Sequence, residues 1–477
     1  MSKNYFYITT TLPYVNADPH IGFAMEIVRA DIIARFKKSQ GFQIFFNTGT
    51  DEHGEKIYKK ALAAGVDTQT YVDQFADKFK SLKDYLGLLP EINFIRTTDK
   101  HHIASAQEFW QRALSGGFIY KKNYQSKYCV GCEMEKTDSD LENGHCPYHP
   151  NDHLELIDEE NYFFKFSEFT DKLLRLYDTN PGFVIPDFRF NEIKAFVGRG
   201  LQDFSISRLK TKMPWGIPVP NDPEQVMYVW FDALVNYISA IGYPEDMDKF
   251  ETWWPVVQYC GKDNLRQQSA IWQAMLMSVN LPSSKQIIIN GFINSGGQKM
   301  SKSLGNVVNP IDIVEEYGSE ALRYYIAREL STFEDGDYTA EKFKEAYNAS
   351  LANGLGNLVS RIMKMAVSNL SGPIEIVEKI ELQKEFEKYM NNFELKKAAD
   401  FIWLEIAGLD YYIQRNQPFV VVKTDKDRGI EMITYLLTKL YEIAQMLLPI
   451  MPETSGQISR LIIENKIPDQ PLFLRKD

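Results

Sequence analysis

Pro19-His20-Ile21-Gly22-Phe23 stands between a strand pattern, Tyr5–Thr10, and a helical pattern that ends near Gly41. Gly22 lets the backbone approach a ligand closely. A helix that begins here directs its free N–H groups and the positive end of its dipole at an anion. His20 can then donate a hydrogen bond to a phosphate during its displacement. An ordinary capped helix after a strand is the simpler interpretation, so this stretch needs a second signal.

A second phosphate-binding pattern lies further along the chain, at Gly296-Gly297-Gln298-Lys299-Met300-Ser301-Lys302-Ser303. The two glycines favour a mobile loop, and Lys299 and Lys302 carry charge that can stabilise departing pyrophosphate. A solvated basic loop is the alternative for any Lys–Ser stretch. The two patterns together favour a site for ATP.

The cysteines indicate a metal site. Cys129-x-x-Cys132 and Cys146-x-x-His149 have the spacing of two metal-binding knuckles. Three thiolates and one imidazole give a closed tetrahedral Zn²⁺ site, which is structural because no position is left for water. His145 is an alternative ligand whose spacing fits less well.

Length and composition place the chain among soluble globular proteins of several domains. It has 477 residues, of which 44% are hydrophobic and 25% charged, and these values exclude a disordered or fibrous protein. No apolar run reaches the roughly 18 residues that a membrane span needs, and no secretion signal is evident. A cytoplasmic location is therefore expected. The net charge of −11 does not exclude a nucleic acid, because a local basic patch can steer a polyanion.

The apolar patterns predict an α/β fold with a Rossmann-like parallel sheet. Helical stretches between the first strands imply that these strands are parallel. Residues 118–165 have short aromatic strands and the Cys/His cluster, which indicates an inserted module, and from Ala340 onward the pattern is all helical. Buried strands are predicted at Tyr5–Thr10, Gln43–Asn47, Asn93–Thr97, Tyr228–Trp230 and Ile287–Asn290.

These motifs resemble those of the class I aminoacyl-tRNA synthetases. The stretches at 19–23 and 299–303 are similar to the HIGH and KMSKS signatures, and the rest of the chain most resembles the methionyl-tRNA synthetase family. Gly49–Gly54, Tyr228–Leu234 and Gly261–Asp263 look like the second-strand, pocket and ribose-binding motifs of that family. The inserted module is too short for the editing domain of the isoleucine, valine and leucine enzymes.

The resemblance implies a domain order. A Rossmann catalytic domain is expected in two halves, with a zinc-knuckle insertion between them, then a KMSKS and stem-contact region and an all-α anticodon-binding bundle. The expected bounds, in chain order, are 1–117, 118–225, 226–290, 291–339 and 340–477.

The resemblance also implies roles for individual residues. ATP is expected to contact Pro19, His20, Gly22, Glu26, Gly261, Asp263, Lys299, Ser301 and Lys302. Among these, His20, Lys299 and Lys302 are the expected catalytic residues. Methionine is expected to contact Leu12, Tyr14, Asp51, Trp230, Ala233, Tyr237 and Gln268, with Asp51 on its amino group.

The C-terminal helices carry the expected anticodon residues. Asn353, Asn357 and Arg361 stand at i, i+4 and i+8, on one side of a helix, and can read the edges of unstacked bases. Phe419 supplies a stacking surface. A solvated polar stripe is the alternative.

The expected partners are L-methionine, ATP with Mg²⁺, and tRNA(Met), and a monomer is expected because little chain follows the bundle.

Three positions depart from the family pattern and keep other functions open. Phe23 replaces the second His of HIGH, Gln267-Gln268 replaces a Phe–His pair, and Gln417-Pro418-Phe419 stands where the family has Pro-Trp. One alternative is a class I synthetase for another apolar amino acid, and another is a catalytically silent tRNA-binding paralogue. A zinc-dependent nucleic-acid-binding module is the third, although it would not need the nucleotide signatures.

Overall fold

The computed structural model describes residues 4–132, 134–136, 140–300, 305–375 and 382–477. This part of the chain divides into two units, and neither is continuous in sequence. The first comprises residues 4–19, 44–81 and 91–289, and the second comprises residues 20–43, 82–90 and 290–477. Among the described residues, no helix combines the length and the apolar character that crossing a bilayer requires.

The described strands are numbered in chain order. They are β1 (Tyr5–Thr10), β2 (Gln43–Thr50), β3 (Asn93–Arg96), β4 (Ile119–Cys129), β5 (Met134–Lys136), β6 (Glu155–Phe164), β7 (Val184–Ile185), β8 (Phe204–Ser205), β9 (Ser207–Leu209), β10 (Pro218–Val219), β11 (Asp222–Met227), β12 (Val257–Gly261), β13 (Gln286–Asn290), β14 (Ile293–Ser295), β15 (Gln298–Lys299) and β16 (Gly336–Tyr338).

The described α-helices are numbered in the same way. They are α1 (Ile21–Ser39), α2 (Glu55–Ala64), α3 (Thr68–Tyr85), α4 (Lys100–Ser115), α5 (Thr170–Thr179), α6 (Asp187–Gly198), α7 (Val229–Leu234), α8 (Asn236–Ser239), α9 (Met247–Trp253), α10 (Trp272–Ser278), α11 (Pro310–Tyr317), α12 (Ser319–Tyr324), α13 (Ala340–Ala346), α14 (Asn357–Asn369), α15 (Lys384–Asn391), α16 (Leu395–Asn416), α17 (Pro418–Thr424), α18 (Lys426–Leu447) and α19 (Pro452–Glu464). Wider π-helical turns occupy Gln267–Ile271, Tyr325–Glu329 and Tyr347–Gly356.

The main sheet lies in the first unit, and its described strands have the order β3-β2-β1-β12-β13-β7. β1 pairs with β12, β2 with β3 and β13 with β7, and each of these pairs is parallel. The inner strands β1 and β12 are almost wholly buried, as parallel strands covered on both faces must be. The predicted parallel sheet is therefore confirmed. Its carboxyl edge is where ligands bind in open α/β folds.

The strand predicted at Tyr228–Trp230 is wrong. Tyr228 is the N-cap of α7, and its carbonyl oxygen accepts hydrogen bonds from the N–H groups of Phe231 (2.9 Å) and Asp232 (3.3 Å). The strand ends one residue earlier, as β11, in a separate antiparallel sheet of order β10-β11-β9. Three apolar residues define no period, so the sequence could not separate a strand end from a helix start. The main sheet is completed by β12 and β13, which confirms the strand predicted at Ile287–Asn290.

An antiparallel module follows α4. Strands β4 and β6 form a long hairpin whose register runs from Ile119↔Phe164 to Tyr128↔Glu155, and β5 and β8 pair on its two sides. The tip of this hairpin carries the Cys/His cluster.

The second unit combines α1, a small sheet of order β15-β14-β16 and the C-terminal helices. Asp31 of α1 is fully buried and bonds the guanidinium of Arg323, which is also fully buried (Oδ2 to Nη2, 2.7 Å). From Ala340 onward the described residues form helices and no strands. Thr339 caps the first of these helices by accepting from the N–H of Lys342.

Candidate active site and metal centre

The loops that follow β1 and β2 meet at the carboxyl edge of the main sheet. Asp51 donates its backbone N–H to Pro13 O (2.9 Å), and its carbonyl accepts from Val15 N (3.1 Å). Tyr14 and Asp51 therefore pair as a short parallel bridge. Leu12, Tyr14 and Asp51 are all partly buried. The structure thus brings these three predicted methionine-site residues together.

Behind Asp51, a fully buried carboxylate fixes the loop. Glu52 accepts two hydrogen bonds from Arg96, at 2.7 and 2.8 Å, and one each from Thr98 (2.5 Å) and Thr50 (2.6 Å). Its carbonyl oxygen accepts from Trp215 Nε1 at 2.6 Å. A buried carboxylate is tolerated only when it is paired in this way. Glu52 was not predicted from the sequence, although the acidic pair Asp51-Glu52 directly after a buried strand is a signal that could have indicated it.

A second buried charge cluster lies under α7, the helix that carries Trp230 and Ala233. Asp232 is fully buried, and its carboxylate lies 3.1 Å from His53 Nδ1 and 4.0 Å from His102 Nε2. Burial raises the pKa of Asp232, and His53 opposes that shift. Burial first, and then His53 and His101, lower the pKa of His102 to about 3. His102 is therefore a neutral imidazole, and its Nδ1 lies 3.0 Å from Ser239 Oγ of α8. It was not predicted from the sequence.

Aromatic rings line the same region. Tyr14 and Trp230 pack against a buried cluster of Tyr128, Tyr228 and Val229. Such a wall suits a flexible, polarisable thioether.

Tyr237 and Gln268, predicted from distant parts of the sequence, are hydrogen-bonded. Gln268 Nε2 donates to Tyr237 Oη at 2.7 Å, and both side chains are only 2% exposed. The ring of Tyr237 makes an edge contact with Trp272 at a centroid distance of 5.8 Å. Ala233 is partly buried on α7, and its carbonyl accepts from Asn236 Nδ2 at 2.6 Å.

The predicted ribose-binding residues also lie at this edge. β12 ends at the buried Gly261, and a single 3-10 turn, Lys262–Asn264, follows. Asp263 in that turn is exposed and accepts from Asn264 Nδ2 at 3.2 Å. Pro19 is buried at the end of the first segment of this unit.

His20 caps α1 in the second unit. Its Nδ1 accepts from the N–H of Gly22 at 3.1 Å, so Nε2 is the nitrogen that carries the proton and can donate. The N–H of Ile21 bonds Val308 O at 2.9 Å. A Cβ on Gly22 would lie 2.9 Å from the His20 ring, so any larger residue here would displace that ring. Glu26, one turn further along, is buried.

The glycine pair before Lys299 forms the turn between β14 and β15. Gly296 and Gly297 have φ values of 61° and 77°, which glycine adopts without strain. The N–H of Gly297 donates to Asp337 Oδ1 at 2.6 Å. Lys299 is exposed, with its ammonium 5.5 Å from the ring centroid of Phe292. Ser301 and Lys302 lie outside the described residues.

The metal-ligand prediction has a matching geometry. The donor atoms of Cys129, Cys132, Cys146 and His149 all lie within 4.8 Å of one another. Cys132 Sγ is 3.4 Å from Cys146 Sγ and 3.2 Å from His149 Nδ1. Three thiols and one imidazole at such distances fit a tetrahedral metal ion. Burial raises the pKa of Cys132 to about 12, so its thiolate needs a cation beside it. His145, the alternative ligand, lies outside this group.

The predicted anticodon residues lie on a π-helical segment, on α14 that continues it, and on α17. Asn353 and Asn357 are exposed, although Asn353 belongs to the π-helical segment before α14, where the turn is wider than the predicted spacing assumes. Arg361 is partly buried and forms an ion pair with Asp410 of α16. Phe419 is 45% exposed at the start of α17.

Comparisons with known proteins agree with this geometry. The family described as tRNA synthetases class I (M) matches residues 6–155 and 149–363. A methionine–tRNA ligase of Thermotoga maritima is 40% identical over 475 residues, covering 96% of this chain and 75% of the relative. One from Synechocystis sp. is 40% identical over 474 residues, covering 95% and 88%.

A solved structure is similar over almost the whole chain. It is Mycobacterium tuberculosis methionyl-tRNA synthetase in complex with methionyl-adenylate, with a TM-score of 0.91 and 33% identity, covering 99% of this chain and 100% of that one. The resemblance inferred from the sequence is confirmed, and the chain belongs to the class I (M) family of tRNA synthetases, the family of the methionine–tRNA ligases.

Proposed function

We propose that this chain is a methionine–tRNA ligase that activates L-methionine with ATP and transfers it to the 3′-terminal adenosine of tRNA(Met), for initiation and elongation of translation. The observation that carries the proposal is the match over 99% of the chain to a synthetase that holds methionyl-adenylate. The paired loops around Tyr14 and Asp51 support it, because they bring a carboxylate and an aromatic ring to the ligand-binding edge of the sheet.

In the first step, a carboxylate oxygen of methionine attacks the α-phosphorus of ATP, and pyrophosphate leaves with the electrons of the broken P–O bond. The nucleophile is already an anion, so positioning and charge stabilisation supply the catalysis. Asp51 holds the ammonium group of methionine. Leu12, Tyr14, Trp230, Ala233, Tyr237 and Gln268 surround its side chain.

The ATP-binding groups come from several turns. His20 donates through Nε2 to a phosphate, and Lys299 and Lys302 stabilise the charge that develops on pyrophosphate. Pro19, Gly22, Glu26 and Ser301 also contact the nucleotide. Gly261 and Asp263 bind the ribose. Mg²⁺ arrives on the phosphates of ATP and neutralises part of their charge.

In the second step, the 2′-hydroxyl of the terminal adenosine attacks the carbonyl carbon of methionyl-adenylate. An ester forms and AMP leaves. Asn353, Asn357, Arg361 and Phe419 read the anticodon, with Phe419 stacking on a base.

The remaining predictions belong to the same proposal. The Cys129, Cys132, Cys146 and His149 group holds one structural Zn²⁺. The domain order is the one expected from the sequence, and the protein acts as a cytoplasmic monomer without a membrane partner.

The test is ATP–pyrophosphate exchange by the purified protein with each of the twenty amino acids. Exchange that depends on methionine alone is expected, and exchange with another amino acid would mean a shifted specificity. A folded, metal-loaded protein without any exchange would instead be a silent paralogue.

Lys302→Ala should reduce adenylate formation far more than methionine binding, and equal losses in both would contradict the role of the loop.

A further inference from the structure

The residues that are proposed to hold the two ends of methionine come from separate parts of the chain. Asp51 follows β2, whereas Trp230 and Ala233 lie on α7. A buried contact joins these two parts. His53, two residues after Asp51, places its Nδ1 3.1 Å from Oδ2 of Asp232, which stands between Trp230 and Ala233 in α7. His53 is 5% exposed and Asp232 is fully buried, so water does not compete for this hydrogen bond.

The loop side of this contact is fixed by further hydrogen bonds. The carbonyl oxygen of Glu52 accepts from Trp215 Nε1 at 2.6 Å, and the carbonyl oxygen of Trp215 accepts from the N–H of Gly54 at 3.1 Å. The rings of His53 and Trp215 also pack, with a centroid distance of 5.8 Å. The residues from Asp51 to Gly54 are therefore held as one body, and a shift of His53 moves the Asp51 carboxylate with it.

The helix side of the contact is fixed as well. The N–H of Asp232 donates to the carbonyl oxygen of Tyr228 at 3.3 Å in the first turn of α7, so the Asp232 carboxylate has a set position on the helix. A second, longer hydrogen bond links β2 to α8, from Asn47 Nδ2 to Asn236 Oδ1 at 3.3 Å. If the loop after β2 moves away from α7, His53 and Asp232 lose each other as buried partners, which is unfavourable in the interior.

We propose that His53 and Asp232 are positioning residues that hold the loop of Asp51 and helix α7 at one separation, the separation at which a single methionine contacts both. This inference rests on the proposed function, which places the ammonium group on Asp51 and the side chain against α7. A ligand that contacts both parts binds more tightly when they are held in advance, because binding then need not order them. A ligand that contacts only one part does not gain from the link.

Two substitutions of His53 test the hydrogen bond rather than the ring. Asparagine has an amide nitrogen at the same distance from Cβ as Nδ1, so His53→Asn can keep the bond to Asp232. The amide of glutamine lies one carbon further along, at the position of Nε2, so His53→Gln loses the bond although it preserves more of the ring volume. In ATP–pyrophosphate exchange, His53→Gln should raise the KM for methionine about 3- to 10-fold, the range of one hydrogen bond. His53→Asn, the matched control, should stay within about twofold of the wild type.

Two analogues separate the link from damage to either part of the site. 4-(Methylthio)butanoate has the thioether but no ammonium group, and L-2-aminobutyrate has the ammonium group but no thioether. Each is measured as an inhibitor of methionine-dependent exchange. Their inhibition constants should change less than about twofold in His53→Gln, because each analogue meets only one of the two parts.

The outcomes separate this inference from the proposed function. No methionine-dependent exchange by the wild-type protein would overturn both. With normal wild-type exchange, equal KM values for methionine in His53→Gln and His53→Asn would overturn the inference alone, since the hydrogen bond would then not matter. Inhibition constants that rise as much as the KM for methionine would also overturn it, because one part of the site would then be damaged.

A double variant covers the case in which His53→Gln does not fold. Replacing both partners, His53→Leu together with Asp232→Leu, removes the link without leaving a buried polar group unpaired. It should raise the KM for methionine relative to the inhibition constants of both analogues. An equal change in the three values would overturn the inference.

Discussion

At the scale of single residues, His102 makes stability depend on pH. Its pKa lies at about 3 in the folded protein, against an ordinary value of 6.5, because the ring is fully buried beside His53. Between pH 6.5 and 3, His102 is therefore protonated in the unfolded chain and neutral in the folded protein. The free energy of unfolding is not reduced by His102 above pH 6.5, and it falls as the pH is lowered from 6.5 towards 3. His102→Gln should reduce the slope of unfolding free energy against pH, between pH 6.5 and 5, by up to about 1.4 kcal/mol per pH unit.

Urea unfolding at several pH values measures that slope. The exposed His153 supplies the control, since it is not among the groups that shift the pKa of His102, and His153→Gln should keep the wild-type slope. An unchanged slope in His102→Gln would mean that the imidazole is charged in the folded protein.

Single residues also show what the sequence could and could not predict. The cysteines were predicted from their visible spacing, and Asp51 and Tyr14 from short stretches that resemble motifs of a known family. Glu52 and His53 stand in the same stretch, yet their roles depend on Arg96 and Asp232, and no spacing rule connects His53 with a residue 179 positions away. The motifs therefore predicted residues that are proposed to contact a ligand, but they did not predict the buried charges beside them.

At the scale of elements, the stability of the two turns that carry the Cys/His group should depend on a bound metal ion. Without the ion, the four side chains lose the bonds that join the two turns, so metal loss should loosen the tip of the β4–β6 hairpin. His149→Ala should lose the bound Zn²⁺ and raise amide hydrogen exchange around residues 127–150, while β1 and β12 stay protected. His145→Ala, at an exposed neighbouring position, should retain one zinc per chain.

Zinc content and hydrogen exchange together decide this prediction. If His145→Ala loses the metal and His149→Ala keeps it, the ligand set is wrong. If exchange at the tip does not respond to metal removal, the ion does not hold the two turns.

The pairing of α14 with α16 gives another prediction at this scale. Arg361 is about one-third exposed and is held by Asp410, which also accepts from Gln414 Nε2 at 2.6 Å. A guanidinium oriented in advance loses less entropy when it contacts a base. Asp410→Asn should therefore raise the KM for tRNA in aminoacylation about threefold, with ATP–pyrophosphate exchange unchanged. Stability should change by less than about 1 kcal/mol, because the pair is partly exposed.

The control for Asp410 lies on the same helix. Asp400 pairs with Arg328 at 3.2 Å and is 48% exposed, and Asp400→Asn should leave the KM for tRNA unchanged. If the two substitutions have equal effects on the KM for tRNA, Arg361 does not take part in anticodon recognition.

At the scale of the whole molecule, the grouping of distant segments lay beyond the sequence. Strand and helix alternation predicted the parallel sheet, because periodicity is local. It could not predict that residues 20–43 and 82–90 belong with residues 290–477. That grouping depends on buried guanidinium groups such as Arg29, which bonds the carbonyl oxygens of Ser331 (2.7 Å) and Thr332 (3.0 Å), about 300 positions away.

Arg323 is the strongest test of how the second unit is held together. Its guanidinium is fully buried and bonds Asp31 of α1 (2.7 Å), together with the carbonyl oxygens of Pro449 (3.0 Å), Ile450 (2.8 Å) and Leu86 (3.2 Å). Removing Arg323 leaves several buried carbonyl oxygens unsatisfied, and it removes one of the two cations beside Asp31, whose Oδ2 also accepts from Arg35 Nε at 2.7 Å. Breaking a buried pair in this way costs about 3–5 kcal/mol. Arg323→Met should destabilise the second unit by that amount in urea unfolding. It should also raise amide hydrogen exchange in α1, whose N-cap is His20.

Two further variants distinguish the stability lost with the buried ion pair from the stability lost when any arginine is removed. Arg460→Met, on the exposed face of α19, should change stability by less than about 0.5 kcal/mol. Adding Asp31→Asn to Arg323→Met should cost less than the two single changes together, because the second substitution removes a buried charge that has already lost one of its two cationic partners. If the costs are simply additive, Arg323 stabilises the unit through its carbonyl contacts, and the ion pair with α1 contributes nothing of its own.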